Sequence, residues 1–217
     1  MYNLLIFLAI ALIGIILYLT ITKRKPWKFI AIIMVIIIGA LLLIGFRFTA
    51  SSALPNGTKP IESIETIYGQ AILYEDVNNH TFGLAKIHRS MGFLYHYAGG
   101  APDYILEVNE PFQAAGFGSD EQDGFMVGIK TGNPNIKYIV VGNHLENLTP
   151  SEPYNFNMET VENYPNSYHV KEIVDNHAFF VLDEYSEKTW TIRALDKDGN
   201  LIADKLFGTG EARYTEW

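Results

Sequence analysis

Trp190-Thr191-Ile192-Arg193-Ala194-Leu195-Asp196-Lys197-Asp198-Gly199-Asn200-Leu201-Ile202-Ala203-Asp204-Lys205-Leu206 decides the fold class of the larger part of the chain. Trp190, Ile192 and Ala194 alternate with Thr191, Arg193 and Leu195, and a period of two puts successive side chains on opposite faces of a strand. Asp198-Gly199-Asn200 then supplies turn residues, so the chain reverses into a second strand over 201–206. The stretch reads as an antiparallel hairpin.

The pattern recurs on moving outward. Phe179-Phe180-Val181-Leu182 is apolar on both faces, as a central strand is, and residues 178–183 join 170–174 through Asp175-Asn176-His177. Phe125, Val127 and Ile129 alternate over 124–130, and 136–141 returns after Thr131-Gly132-Asn133-Pro134-Asn135 as a further hairpin. With 154–158 as another strand, residues 124–217 are expected to form a sandwich-like lobe of two antiparallel sheets. Upstream, 71–76 and 81–87 flank Asn78-Asn79, and 91–98 adds a strand. Residues 60–69 read differently. Pro60 precedes Ile61, Ile64, Ile67 and Tyr68 at helical spacing, and Gly69 stands in the stop position, so a short helix is expected there. Residues 59–123 are thus expected as a small α+β lobe, bounded by the Gly-rich acidic stretch 116–124, with 50–58 as a linker.

The N-terminal part obeys another rule. Residues 4–22 and 29–46 are two runs without a charged side chain, each close in helical length to the ~30 Å hydrocarbon core. Between them, Lys23, Arg24, Lys25 and Lys28 carry every charge of residues 1–46, beside Pro26 and Trp27. The positive-inside bias places this link in the cytoplasm, and Tyr18 and Trp27 suit the headgroup level. The expectation is a two-helix transmembrane hairpin over residues 1–49, multi-pass in the cell membrane, with the mainly β domain on the extracytoplasmic side. Met1-Tyr2-Asn3 gives no charged start for a secretory signal, and 18 apolar residues exceed the usual signal core, so both runs are expected to be retained.

Charge and composition exclude several functions. The chain of 217 residues has 16 basic and 24 acidic side chains; residues 1–46 hold four of the basic and none of the acidic ones. The remainder is strongly acidic, which argues against nucleic acid as its partner. Without cysteine, disulfides, thiolate metal sites and cysteine catalysis are impossible. The six histidines lack the spacing of a zinc enzyme, and no G-x-S-x-G or S-x-x-K is present. Asp120-Glu121-Gln122-Asp123-Gly124 and Asp196-Lys197-Asp198-Gly199-Asn200 complete no calcium loop. No catalytic, metal or cofactor residue is therefore assigned.

The candidate ligand surface is aromatic: Tyr95, His96 and Tyr97, together with Phe117. Alternation puts Tyr95 and Tyr97 on one strand face and His96 on the other. The favoured reading is a membrane-anchored binding or interaction module whose partners are the bilayer and another membrane or envelope protein. The alternative is a cell-envelope hydrolase using His or carboxylate chemistry, with the region around His96 and Asp103 as its candidate site.

Thr81-Phe82-Gly83-Leu84-Ala85-Lys86, Gly92-Phe93-Leu94-Tyr95 with Gly99-Gly100, and the stretch Trp190 to Asn200 together give the chain a resemblance. It resembles uncharacterised membrane-anchored proteins of Bacillus-type Gram-positive bacteria. The resemblance implies a bacterial cell membrane and an outward-facing domain, and it carries over no activity or catalytic residue. The double span departs from the single anchor common among such proteins.

Overall fold

The computed structural model describes residues 14–16, 18, 26–118, 124–144, 154–183, 190–208 and 210–215. Gly14, Ile15, Ile16 and Tyr18 are helical; the rest of the first apolar run, with Lys23, Arg24 and Lys25, lies outside the described residues. Pro26–Leu43 is an 18-residue helix, α1. Pro26, Trp27 and Lys28, expected in a link, instead make its first turn, where the N–H that proline lacks has no helical partner to lose. Without those three, 15 apolar residues remain, about 22 Å at ~1.5 Å per residue. Among the described residues no helix is long and apolar enough to cross a membrane. The expected hairpin of two full spans is not supported at this level.

A glycine stop ends α1. Gly45, at φ 96°, donates to Leu42 O, and Phe46 donates to Leu41 O, the paired bonds that close a helix through a left-handed residue. Arg47 Nη1 adds a cap by donating to Leu42 O at 2.7 Å and Phe46 O at 2.9 Å. The expected linker is packed rather than slack. Ser51–Ala53 makes a short 3-10 turn, and Ala50, Ala53 and Leu54 are buried against the first sheet.

The strands are β1 (Thr58–Thr66), β2 (Gly69–Asp76), β3 (Thr81–Ser90), β4 (Leu94–Tyr104), β5 (Gln113–Phe117), β6 (Phe125–Lys130), β7 (Tyr138–Asn143), β8 (Tyr168–Glu172), β9 (His177–Leu182), β10 (Trp190–Leu195), β11 (Leu201–Lys205) and β12 (Arg213–Tyr214). A short helix, α2 (Met158–Asn163), precedes β8. All pairings are antiparallel, in three sheets ordered β1-β2-β3-β4, β5-β6-β9 and β12-β11-β10-β7-β8. The hairpin β10–β11 forms as its alternation predicts.

Other expectations are corrected. Residues 60–66 are strand and 67–68 the turn that follows it, not helix: Ile64 packs on the core while Ile61 and Ile67 face solvent, so the helical spacing is coincidental. Pro60 is tolerated because β1 is an edge strand with an irregularity beside it. Residues 124–130 and 136–141 are not a hairpin, since β6 and β7 belong to different sheets; β8 and β9 likewise diverge after the Val174–His177 bridge. The strand expected over 154–158 is absent: residues 154–156 are irregular, Asn157 makes only an isolated bridge to Asn200, and Met158 begins α2, capped by the Asn157 side chain accepting from Thr160 N–H at 3.0 Å. β5 and β6, paired across Gly116–Gly124, join residues from both sides of the expected lobe boundary.

The middle sheet explains why so many strands are apolar throughout. One core packs Leu73, Phe82 and Leu84 of the first sheet on Met126 and Phe179 of the second. Another packs Val127, Ile129 and Phe180 on Ile139, Trp190 and Ile192 of the third. Phe179 and Phe180 therefore point into different cores. β9 is apolar on both faces because its sheet is the central layer, although β9 is at that sheet's edge. Gly128 permits the close approach: a Cβ there would lie 2.8 Å from Leu84 Cδ2 and 2.9 Å from Leu73 Cδ1.

Candidate functional site

Backbone direction at β5 sets up the site. β5 pairs on one side with β6 and forms the edge of the central sheet. Its Ala114 N–H bonds the Gln113 side chain at 2.9 Å, so this residue directs its polar groups away from β6. Antiparallel alternation directs those of Gly116 the same way. A cleft of about 420 Å³ runs along this edge, lined by all of residues 114–118. Successive side chains on a strand face opposite ways, so a lining of consecutive residues means that the cleft tracks the strand edge.

The opposing wall comes from the third sheet. Trp190 and Ile192 of β10 face inward by alternation, as does Lys205, on the face of β11 opposite Asp204. Burial lowers the Lys205 ammonium below its usual range, with Glu110 and Glu211 acting in the opposite sense. Tyr104 closes the side toward the first sheet. Phe117 reaches across to β4, where Gly99, at φ 138°, gives it room: a Cβ there would lie 2.9 Å from Phe117 Cζ. The cleft combines apolar walls, outward strand polarity and one cation.

Of the four residues expected on a ligand surface, Phe117 lines the cleft. Tyr95 packs on the outer face of the first sheet, opposite His96, as the alternation predicts. The His96 ring lies 5.0 Å from Phe46 and 5.4 Å from its cross-strand neighbour His88. Tyr97 is half-exposed, and burial raises its phenol above the usual range. His96 and Asp103 are seven positions apart on β4, roughly 23 Å at ~3.3 Å per residue, so a hydrolytic pair is not assembled there. Among the described residues no group of three or more His, Asp or Glu converges as metal ligands would. Asp120 lies outside the described residues, and Asp196 closes a turn by accepting from Asp198 N–H and Asn200 N–H.

A second polar cluster escaped the sequence reading. Arg193 is fully buried on the outer face of the third sheet, its guanidinium 4.2 Å from the Phe156 ring centroid and about 5.5 Å from those of Tyr154 and Tyr168. It also donates to Asn143 O and meets His144 Nδ1. Beside it, buried Asp204 accepts from Tyr154 Oη at 2.9 Å and Arg213 Nε at 2.8 Å. Burial pushes the Tyr154 phenol far up, and the Asp204 carboxylate holds Arg213 protonated. These contacts clamp residues 154–156, just ahead of α2, to the sheet. The alternation around Arg193 was legible, but a second apolar layer over that face was not. No family model, curated protein or solved structure matches the chain, and the resemblance seen in its sequence gains no support there.

Proposed function

We propose that the protein is a membrane-anchored module, facing away from the cytoplasm, that captures an extended polypeptide segment of another envelope protein along β5. The observation that carries this reading is the cleft running along a strand edge that no strand among the described residues pairs. An added strand satisfies outward N–H and C=O groups in sequence-independent fashion, and pockets beside it select alternate side chains. Here the aromatic walls suit an apolar side chain, and Lys205 suits a carboxylate, from an acidic residue or a chain end.

Anchoring is supported by the composition of α1. Beyond Lys28 it has no polar face, and Ile32, Val35, Ile36 and Leu42 are all exposed around it. A helix apolar all round belongs in lipid or against a partner. The basic residues before it favour a cytoplasmic start.

The test uses the full chain in lipid nanodiscs, probed with a library of linear hexapeptides. Selected peptides are expected to alternate apolar and polar residues, to carry a carboxylate, and to lose at least about tenfold in affinity toward Lys205→Met, as a desolvated charge-assisted bond requires. N-methylation of alternate peptide amides is expected to abolish binding in one register only. Selected peptides indifferent to both changes, or a library yielding no binder, would overturn the proposal.

A further inference from the structure

We infer that the end of the first sheet nearest α1 is itself a bilayer-contacting rim, whose Phe48, Ile67, Met91 and Phe93 enter the headgroup layer. This rests on the reading of α1 as a membrane anchor. Three independent features carry it.

The first is the absence of slack between helix and sheet. Arg47 pairs with Tyr95 through two backbone bonds, N–H to O at 2.7 Å and 2.8 Å in the two directions. Phe46 is buried against His96, and the antiparallel register then brings Phe48 beside Leu94. The chain leaving α1 therefore runs along β4 toward the β3–β4 turn and reaches it within a few residues of the helix end.

The second is helix length. With about 22 Å of apolar helix against a ~30 Å hydrocarbon core, mismatch draws the chain beyond Leu43 toward the membrane. Within a few residues that chain reaches this edge of the sheet, where Arg47 is already paired with Tyr95.

The third is the chemistry of the turns. Met91 is 81% exposed, Phe93 53%, Ile67 91% and Phe48 52%, and all four stand at the same end of the sheet. Met91 and Gly92, with φ of 54° and 81°, are the central residues of the turn closed by Phe93 N–H to Ser90 O inside the three-residue β3–β4 loop, a geometry that favours Asn or Gly at its first position. The comparable turn at Asp175-Asn176, with φ of 48° and 66°, uses such residues. A methionine held in left-handed geometry, with its side chain in water, is unfavourable on both counts. Immersion in the headgroup layer removes the second cost. The opposite end of the sheet also exposes apolar side chains, Val77 and Val108 among them, but has no tie to α1.

The absence of cysteine allows a direct test. Single cysteines replace Ile36, Met91, Phe93 or Val108 in the full chain, each labelled with an environment-sensitive fluorophore. The proteins are placed in phosphatidylethanolamine–phosphatidylglycerol vesicles containing shallow or deep spin-labelled lipid. Shallow quencher is expected to reduce emission at Met91 and Phe93 at least twofold more than at Val108, and deep quencher is expected to act at Ile36. Quenching at Ile36 with none above the Val108 level at the turns overturns the rim and leaves the anchor standing. Absence of quenching at Ile36 overturns the anchor and the rim together. Blue-shifted emission at the turns without quenching means that protein covers them, which also overturns the rim.

Discussion

At the scale of single residues, burial decides which titratable groups matter, and His177 illustrates why sequence position misleads. It comes directly after a turn, where a solvated imidazole is the default expectation. In the structure it begins β9 where two sheets separate, and it is buried beside the Phe82 ring. Nδ1–H donates to Asp175 O at 2.6 Å. Burial lowers its pKa below the ordinary value, only partly offset by that carbonyl. A histidine depressed in the folded state contributes stability that is fully present above its unfolded value, near 6.5, and lost as pH falls from there through the folded value. Urea denaturation at pH 7.5 and pH 5.5 is expected to show lower stability at the acidic pH. In His177→Gln the difference should shrink by up to one proton's worth of slope. An unchanged pH dependence in that variant would remove His177 as the source.

At the scale of elements, alternation made individual strands legible and left their partners illegible. Residues 190–206 could be paired because turn and strands lie together in sequence. Residues 124–141 misled because Asn133-Pro134 is good turn chemistry, yet each flanking strand has better apolar partners elsewhere, and nothing local records which sheet a strand joins. The β1 segment misled through chance helical spacing of isoleucines. The cleft was legible only at Phe117, because Lys205, on the locally paired β10–β11 hairpin, meets β5 through the packing of two different sheets. The clamp on residues 154–156 is the clearest nonlocal device. Tyr154 and Arg213 both donate to an Asp204 carboxylate with no solvent exposure, so removing that acceptor leaves a buried phenol and a cation without it. The Arg213 side chain is 35% exposed, so water recovers part of the loss; a hydrogen bond to a charged group contributes about 1.5–3 kcal/mol, whereas deleting one hydroxyl costs about 0.5–1.5 kcal/mol. Asp204→Ala, which removes both bonds, is therefore expected to destabilise the protein more than Tyr154→Phe, measured as the midpoint of chemical denaturation. Equal effects would mean that the cluster is not desolvated.

At the scale of the whole molecule, the central sheet makes cooperativity the default. Its residues supply one half of each of two cores, so once the middle layer is lost each outer sheet keeps only the smaller apolar layer on its outer face. A boundary near residue 123 would instead give two units that unfold apart. Gly128 discriminates between these, because it sits at the contact of the first and second sheets, whereas Trp190 reports on the contact of the second and third. A methyl group added at position 128 meets two leucine side chains that are themselves fully buried and have little room to move. Overpacking of this kind costs about 1–3 kcal/mol. With Trp27 and Trp217 replaced by Phe, the fluorescence of Trp190 tracks the far core alone. Gly128→Ala is expected to lower the Trp190 transition and the circular-dichroism transition by the same amount, and the two should coincide in both proteins. A Trp190 midpoint that stays fixed while the circular-dichroism curve splits would show that the first sheet melts by itself, and that the three layers do not fold as one unit.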